Sequence, residues 1–225
     1  MRLFFVHIPK TAGTSFFKTA IEPRWEIRHY AGLKDFVFQT WKKKTCIRGH
    51  VPYGQHLFKP FHRFDYLTFL RDPIERAISH YFFVISTSSS QYTHPELHIH
   101  QEVPIEEIFE YNKSRMKALG PWGILVDNMQ TRYLAGIPFT HKESDLQLLK
   151  RAKHNLLKNF VFWGLQNQYE ASLDKFQKKY DIPIQNQSKR YQQSKKEELS
   201  ETQLNAVINA NRLDMELFEF AQKHF

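Results

Sequence analysis

The chain has 225 residues, 41% of them hydrophobic and 15% aromatic, enough apolar material to bury a core and to exclude a disordered or fibrous chain. Its 32 Lys and Arg residues against 23 Asp and Glu give a net charge of +9, which favours an anionic partner without identifying it. One cysteine, Cys46, excludes an intramolecular disulfide framework and predicts a reducing, cytoplasmic setting, and no apolar run approaches the roughly 20 residues of a membrane-spanning helix.

Residues 1–6 lead straight into an apolar strand, without the long apolar stretch and cleavage site of a leader, so no targeting segment is expected. Residues 3–8 are apolar apart from one histidine, the pattern of a parallel strand covered on both faces. Pro9 ends the strand. A turn of small residues follows, and Ser15 opens a helix with hydroxyl groups at its start. Thr45–Gly49 predicts a short second strand, and residues 66–70 a third, closed by Arg71-Asp72-Pro73. The next helix begins on proline. It places Ile74, Ala77, Ile78, Tyr81, Phe82 and Ile85 on one face, expected to pack on the sheet, with Glu75, Arg76, Ser79 and His80 directed elsewhere.

Residues 86–101 are rich in serine and histidine and lack apolar periodicity, which predicts a long, mobile surface loop. Helices are expected near 104–111, 126–134, 143–157 and 169–180, and over the C-terminal residues 199–225, with a buried strand at 160–164 and a polar segment at 185–194. Strands alternating with helices, and no linker dividing the chain, predict a single α/β domain over 1–225. Its expected form is a three-layer, open, mostly parallel sheet with helices on both faces.

A small-residue turn between a buried strand and a helix presents backbone N–H groups and the positive helix end to an anion. Here Lys10 adds a charge, and Thr11, Thr14 and Ser15 add hydroxyl donors. Such turns also occur at helix starts that bind nothing. The segment lacks the Gly-x-x-x-x-Gly-Lys-Ser/Thr of a Walker A loop, which counts against an ordinary ATPase or GTPase. Arg71 ends a strand, and Ser79 follows two helical turns later. Both loops fall at carboxyl ends of strands, where open α/β sheets bind ligands, so they are placed to grip two ends of a doubly phosphorylated nucleotide. The alternative for Arg71 is a structural pair with Asp72 or Glu75. Basic groups at Lys42, Lys43, Lys44 and Arg48, at Lys150, Arg151 and Lys153, at Lys178 and Lys179, and at Lys189, Arg190, Lys195 and Lys196 read as solvated faces or anion patches. His94, His98 and His100 share the 86–101 loop without a cysteine or carboxylate framework, and no metal is expected there.

The stretch Phe5-Val6-His7-Ile8-Pro9-Lys10-Thr11-Ala12-Gly13-Thr14-Ser15-Phe16 resembles the 5′-phosphosulfate loop of sulfotransferases that use 3′-phosphoadenosine 5′-phosphosulfate (PAPS). Leu70-Arg71-Asp72-Pro73-Ile74-Glu75-Arg76-Ala77-Ile78-Ser79-His80-Tyr81 resembles their 3′-phosphate element, with Arg71 and Ser79 at the family's spacing. The nearest branch is the carbohydrate sulfotransferases that include heparan sulfate 2-O-sulfotransferase. Similarity continues more loosely through Asp127-Asn128-Met129-Gln130-Thr131-Arg132, Phe162-Trp163-Gly164-Leu165 and Asn211-Arg212-Leu213-Asp214-Met215-Glu216-Leu217-Phe218.

The resemblance implies a P-loop-nucleotide-hydrolase-like fold and transfer of a sulfuryl group from PAPS to a hydroxyl of a saccharide, leaving adenosine 3′,5′-bisphosphate. Lys10 would stabilise the leaving phosphate. Thr11, Ala12, Gly13, Thr14 and Ser15 would hold the 5′ end, Arg71 and Ser79 the 3′-phosphate, and Ser188, Lys189 and Arg190 match the family's late basic loop near the nucleotide. The branch carries its proposed base in a His-Gly-His segment after a strand, which assigns that role to His50. Arg48 stands where the first histidine would be. It is assigned, with Asn128, Gln130 and Arg132, to the acceptor, and a cation there favours an anionic one. His7 and His80 are weaker base candidates, and the glutamate bases of related branches leave Glu22 and Glu26 open. Golgi members carry a membrane anchor not seen here, so a bacterial cytoplasmic enzyme is expected, without nucleic acid or membrane span. The competing readings are a nucleotide-dependent kinase with Asp72 at magnesium, a nucleic-acid-binding module, and a PAPS-binding relative without activity.

Overall fold

Pleating divides the apolar side chains of each buried strand between two cores. β1 (Leu3–Val6) is buried throughout and sends Phe4 and Val6 to one face, Leu3 and Phe5 to the other. The structure is a computed structural model that describes residues 1–30, 32–38, 40, 42–86, 93–94, 97, 101, 103–110, 127–136, 144–184 and 198–225. The remaining strands among these residues are β2 (Glu26–His29), β3 (Thr45–Gly49), β4 (Asp65–Leu70) and β5 (Phe160–Leu165). They form one all-parallel sheet in the order β2-β3-β1-β4-β5. The expected parallel α/β sheet is present, and β2 is an addition. An exposed edge strand of sequence Glu-Ile-Arg-His has no apolar run to announce it.

The α-helices among the described residues are, in chain order, α1 (Gly13–Phe16), continued by a π-helical turn over Phe17–Ile21, then α2 (Leu33–Phe38), α3 (Pro73–Ser86), α4 (Ile105–Glu110), α5 (Met129–Ala135), α6 (Asp145–Lys158), α7 (Tyr169–Tyr180), α8 (Glu201–Ala210) and α9 (Arg212–Lys223). α1 and α7 cover one face, packing Phe16, Phe17, Ile21, Leu173 and Phe176 on Leu3, Phe5, Leu67, Phe69 and Phe162. The other face takes Phe36 of α2, Leu134 of α5, Leu149 and Leu156 of α6, and Leu217 of α9. Phe16 is fully buried, with ring centroids of Phe69 at 4.7 Å, Phe176 at 4.9 Å and Phe162 at 5.6 Å. Removing a buried ring of this kind costs about 3–5 kcal/mol, so the aromatic stack holds α1, and the loop before it, in place.

Two helix expectations change. The apolar stripe of α3 meets helices α4 and α8, through Ala77, Ile105, Phe109, Ala206 and Val207, and not the sheet. The polar side of α3 then turns inward, burying Arg76, Ser79 and His80, which the apolar periodicity had directed elsewhere. The C-terminal helical stretch breaks at Asn211, whose side chain donates to Val207 O at 2.9 Å. Asn128 Oδ1 restarts it, accepting from Leu213 N at 2.8 Å and Asp214 N at 3.1 Å.

β1 connects away toward β2, whereas its neighbour β4 connects away toward β5, so the two connections diverge and leave a crevice at the carboxyl ends of β1 and β4. No helix among the described residues is long and apolar enough to cross a membrane. The 185–194 segment and most of the 86–101 loop lie outside the described residues.

Candidate active site

The loop after β1 turns into α1 through two left-handed residues that are not glycine, Lys10 (φ 67°) and Ala12 (φ 69°). Such conformations cost about 1–3 kcal/mol each and persist only where the surroundings fix them. Thr11, fully buried between them, supplies one fixture by donating its hydroxyl to Ile8 O at 2.9 Å. No side chain caps α1, and its backbone ladder begins with Phe16 N donating to Ala12 O at 3.1 Å. The N–H groups of Gly13, Thr14 and Ser15 therefore stand outside the helix's own bonds, at its positive end. At Gly13 a Cβ would lie 2.5 Å from His7 Cδ2 and 3.1 Å from Phe5 Cζ. Only glycine lets this loop lie against the His7 ring.

His7 and Arg48-Gly49-His50 stand side by side at the ends of β1 and β3, because Val6 pairs with Gly49 and His7 N donates to Gly49 O at 3.0 Å. Arg48 approaches His7 Nδ1 with Nε at 3.2 Å and Nη2 at 3.0 Å, and Nη2 also donates to Thr14 Oγ1 at 3.1 Å. A guanidinium can only donate, so His7 accepts at Nδ1 and carries its proton on Nε2. Burial, then the positive fields of His50 and Arg48, hold the His7 pKa well below 6.5. His50 Nδ1 lies 2.7 Å from His7 O, and a carbonyl can only accept. Nδ1 is thus the protonated nitrogen, and Nε2 of His50 is left as the basic one. The two rings lie 4.4 Å apart. Crowding by protein atoms outweighs the carbonyl bond and, with Arg48, lowers the His50 pKa. His50 is exposed where His7 is buried, and its shift is the smaller.

Arg71, at the end of β4, reaches across the crevice and donates Nη1 to Lys10 O at 3.2 Å, while Nη2 pairs with Glu75 Oε2 at 2.8 Å. The pair with Glu75 foreseen as the structural alternative is present, together with the contact to the Lys10 loop. The Lys10 ammonium lies 4.5 Å from the centroid of the Phe83 ring on α3. Burial and the Arg71 charge lower the Lys10 pKa to about 8. Behind Arg71, the side-chain amide of Gln130 pairs with the Arg71 peptide, and Asp214 accepts from Gln130 N at 3.0 Å and Thr131 N at 2.6 Å. Asp72 Oδ1 accepts from Glu75 N at 2.8 Å, capping α3.

Lys10, Thr11, Ala12, Gly13, Thr14, Ser15, Arg48, His50 and Arg71 thus converge on one edge of the sheet. Of the other sequence candidates, some stand beside this cluster and some away from it. Gln130 is buried behind Arg71, Asn128 is buried at the start of α9, and Arg132 pairs with Asp127. Ser79 is buried two turns into α3. Glu22 is exposed and close enough to act on the Arg48 charge, whereas Glu26 begins β2 at the opposite end of the sheet, beside Arg28. His80 is buried near Lys10 and His50, with the His94 ring at 5.8 Å. Ser188, Lys189, Arg190, His98 and His100 lie outside the described residues, and among those described no group of three or more His, Cys, Asp or Glu is placed to hold a metal.

Pattern reading missed the linkage of His7, Arg48 and Thr14 and the support of Arg71 by Gln130 and Asp214. The signal for the second was a polar Gln-Thr pair inside an apolar helix, which needs a partner from a distant helix. Neither a family model nor a curated protein matches the chain.

Proposed function

We propose that the crevice between β1 and β4 binds PAPS, and that the protein transfers its sulfuryl group to a hydroxyl, a saccharide hydroxyl by its resemblance to carbohydrate sulfotransferases of P-loop-like fold. One observation carries this reading: Lys10 and its uncapped helix start face Arg71 across the crevice, with the basic nitrogen of His50 at the neighbouring strand end. Two cationic groups that follow separate strands match a nucleotide with phosphate groups at both its 5′ and 3′ positions.

In the proposed reaction His50 Nε2 takes the proton of the acceptor hydroxyl as its oxygen attacks sulfur in line. The bond from sulfur to the bridging oxygen breaks, and its electron pair leaves with the 5′-phosphate. Charge therefore builds at the phosphate, where Lys10 and the N–H groups of Gly13, Thr14 and Ser15 would stabilise it. Arg71 anchors the 3′-phosphate. Arg48 is engaged by His7 and Thr14, so it acts as a positioning residue for both strand ends. The products are a sulfated acceptor and adenosine 3′,5′-bisphosphate.

Thermal unfolding of the purified protein tests the donor assignment, because a ligand that binds only the folded state must raise the melting temperature. Adenosine 3′,5′-bisphosphate is expected to stabilise by several degrees, and ADP or ATP with magnesium by much less. A folded sample indifferent to the bisphosphate would overturn the reading.

A further inference from the structure

The amino-terminal edge of the sheet, opposite the crevice, carries a surface that the proposed chemistry does not use. The segments that begin the strands converge there: Lys44 N donates to Met1 O at 2.9 Å, Glu26 N to Lys44 O at 2.8 Å and Asp65 N to Arg2 O at 2.8 Å. α2 runs back from the carboxyl edge and ends at this one, where Lys59 Nζ donates to Phe36 O at 3.3 Å and Val37 O at 2.9 Å. That bond joins the end of α2 to the 59–64 turn, which His62 N closes on Lys59 O at 3.0 Å. Each of the joined segments presents a bare ring. Phe38 is 84% exposed and Phe61 97%, with Leu57, four residues before Phe61, at 60%.

Large apolar side chains this exposed are unfavourable in water, and they stand here among cations. Segments 1–2, 33–38, 42–44 and 59–65 together hold seven Lys and Arg against two Asp. Lys42, Lys43, Lys44 and Arg63 are exposed. Partial burial, then the nearby Arg2 charge, lowers the pKa of Lys59.

We infer that the amino-terminal edge of the sheet docks on an anionic lipid bilayer, with Phe38 and Phe61 entering the headgroup region and Lys42, Lys43 and Arg63 meeting lipid phosphates. Exposed rings at a helix end and on a turn, beside basic side chains, suit an interfacial site, where apolar burial and attraction to anionic lipid add. The neighbouring Leu57 favours a bilayer over a nucleic acid, since an aliphatic chain has no face on which a base can stack. Docked this way, the crevice opens to the water and takes its acceptor from the aqueous side.

Co-sedimentation of the full chain with vesicles tests this inference independently of the PAPS reading. Vesicles of phosphatidylglycerol in phosphatidylcholine are expected to bind the protein, less so as salt rises, and pure phosphatidylcholine to bind it much more weakly. Phe38→Ser with Phe61→Ser should weaken binding about tenfold per ring, and Lys42→Glu with Lys43→Glu about fivefold or more per position. All four positions are exposed, so an unchanged melting temperature is expected to accompany each loss. No binding to anionic vesicles, equal binding to both vesicle types, or undiminished binding by both variants would overturn the inference. So would tighter binding to a single-stranded oligonucleotide than to the vesicles, with the same loss in the variants.

Discussion

Gln130 brackets the peptide backbone of Arg71: its Oε1 accepts from Arg71 N at 3.0 Å, and its Nε2 donates to Arg71 O at 2.9 Å. Such reciprocal pairing fixes the direction in which the chain leaves β4, and so the point from which the guanidinium reaches Lys10 O. Gln130 is itself held from behind by Asp214, a fully buried carboxylate on α9 within the field of Arg76. The carboxyl-terminal helix therefore supports the crevice without entering it.

Gln130→Ala removes both partners of the Arg71 peptide at a buried position. An unfolding free energy lower by about 1–3 kcal/mol is expected, measured in urea, with weaker binding of adenosine 3′,5′-bisphosphate. Gln130→Glu keeps the acceptor and loses the donor, and is expected to weaken the ligand as well. Unchanged affinity in both variants would show that the bracket does not set Arg71.

The strands β1, β3, β4 and β5 are legible in the sequence because apolar runs such as Leu3-Phe4-Phe5-Val6 are buried on both faces. β2 is not, since an edge strand reading Glu-Ile-Arg-His buries little. The Lys10 loop and Arg71 are legible as strand-end segments of suitable chemistry. The partners of His7, Arg48 and Gln130 are not, because each comes from a residue more than thirty positions away, and periodicity reports only local neighbours. α3 shows the same limit. Its stripe predicts that one side is buried, but which elements cover it depends on α4 and α8.

Lys10 has a pKa of about 8, lowered by burial and by the Arg71 charge, and a bound anion favours its protonated form. At pH 9 bisphosphate binding should therefore take up close to one proton, whereas at pH 7 Lys10 contributes none. Calorimetry in two buffers of different ionisation enthalpy measures this, and Lys10→Met should abolish the uptake. In the ligand-free protein the sign is fixed as well. Between pH 8 and the ordinary lysine value of 10.5 the unfolded chain holds a proton that the folded one has lost, so Lys10 makes stability rise with pH across that interval.

His7 and His50 are expected to be neutral at pH 7 in opposite tautomers, His7 protonated on Nε2 and His50 on Nδ1. Two-dimensional nitrogen–proton spectra of histidine-labelled protein distinguish the two forms, with His50→Ala providing the assignment. A charged His50 at pH 7 would contradict the base assignment, and a proton on Nδ1 of His7 would contradict its bond to Arg48. Burial also holds the His7 and His80 pKa values well below 6.5. As pH falls through 6.5 the unfolded chain gains protons that these rings refuse, so stability should decline toward acid pH.

The most direct test of the two-anion crevice is a calorimetric comparison of adenosine 3′,5′-bisphosphate with adenosine 5′-phosphate, in wild type and in Arg71→Ala. The wild type is expected to prefer the bisphosphate by about tenfold or more, the scale of one charge-assisted phosphate contact, and the variant to lose that preference while still binding the 5′-phosphate. Absence of bisphosphate binding to the folded wild type, or a preference that survives in Arg71→Ala, would contradict the assignment.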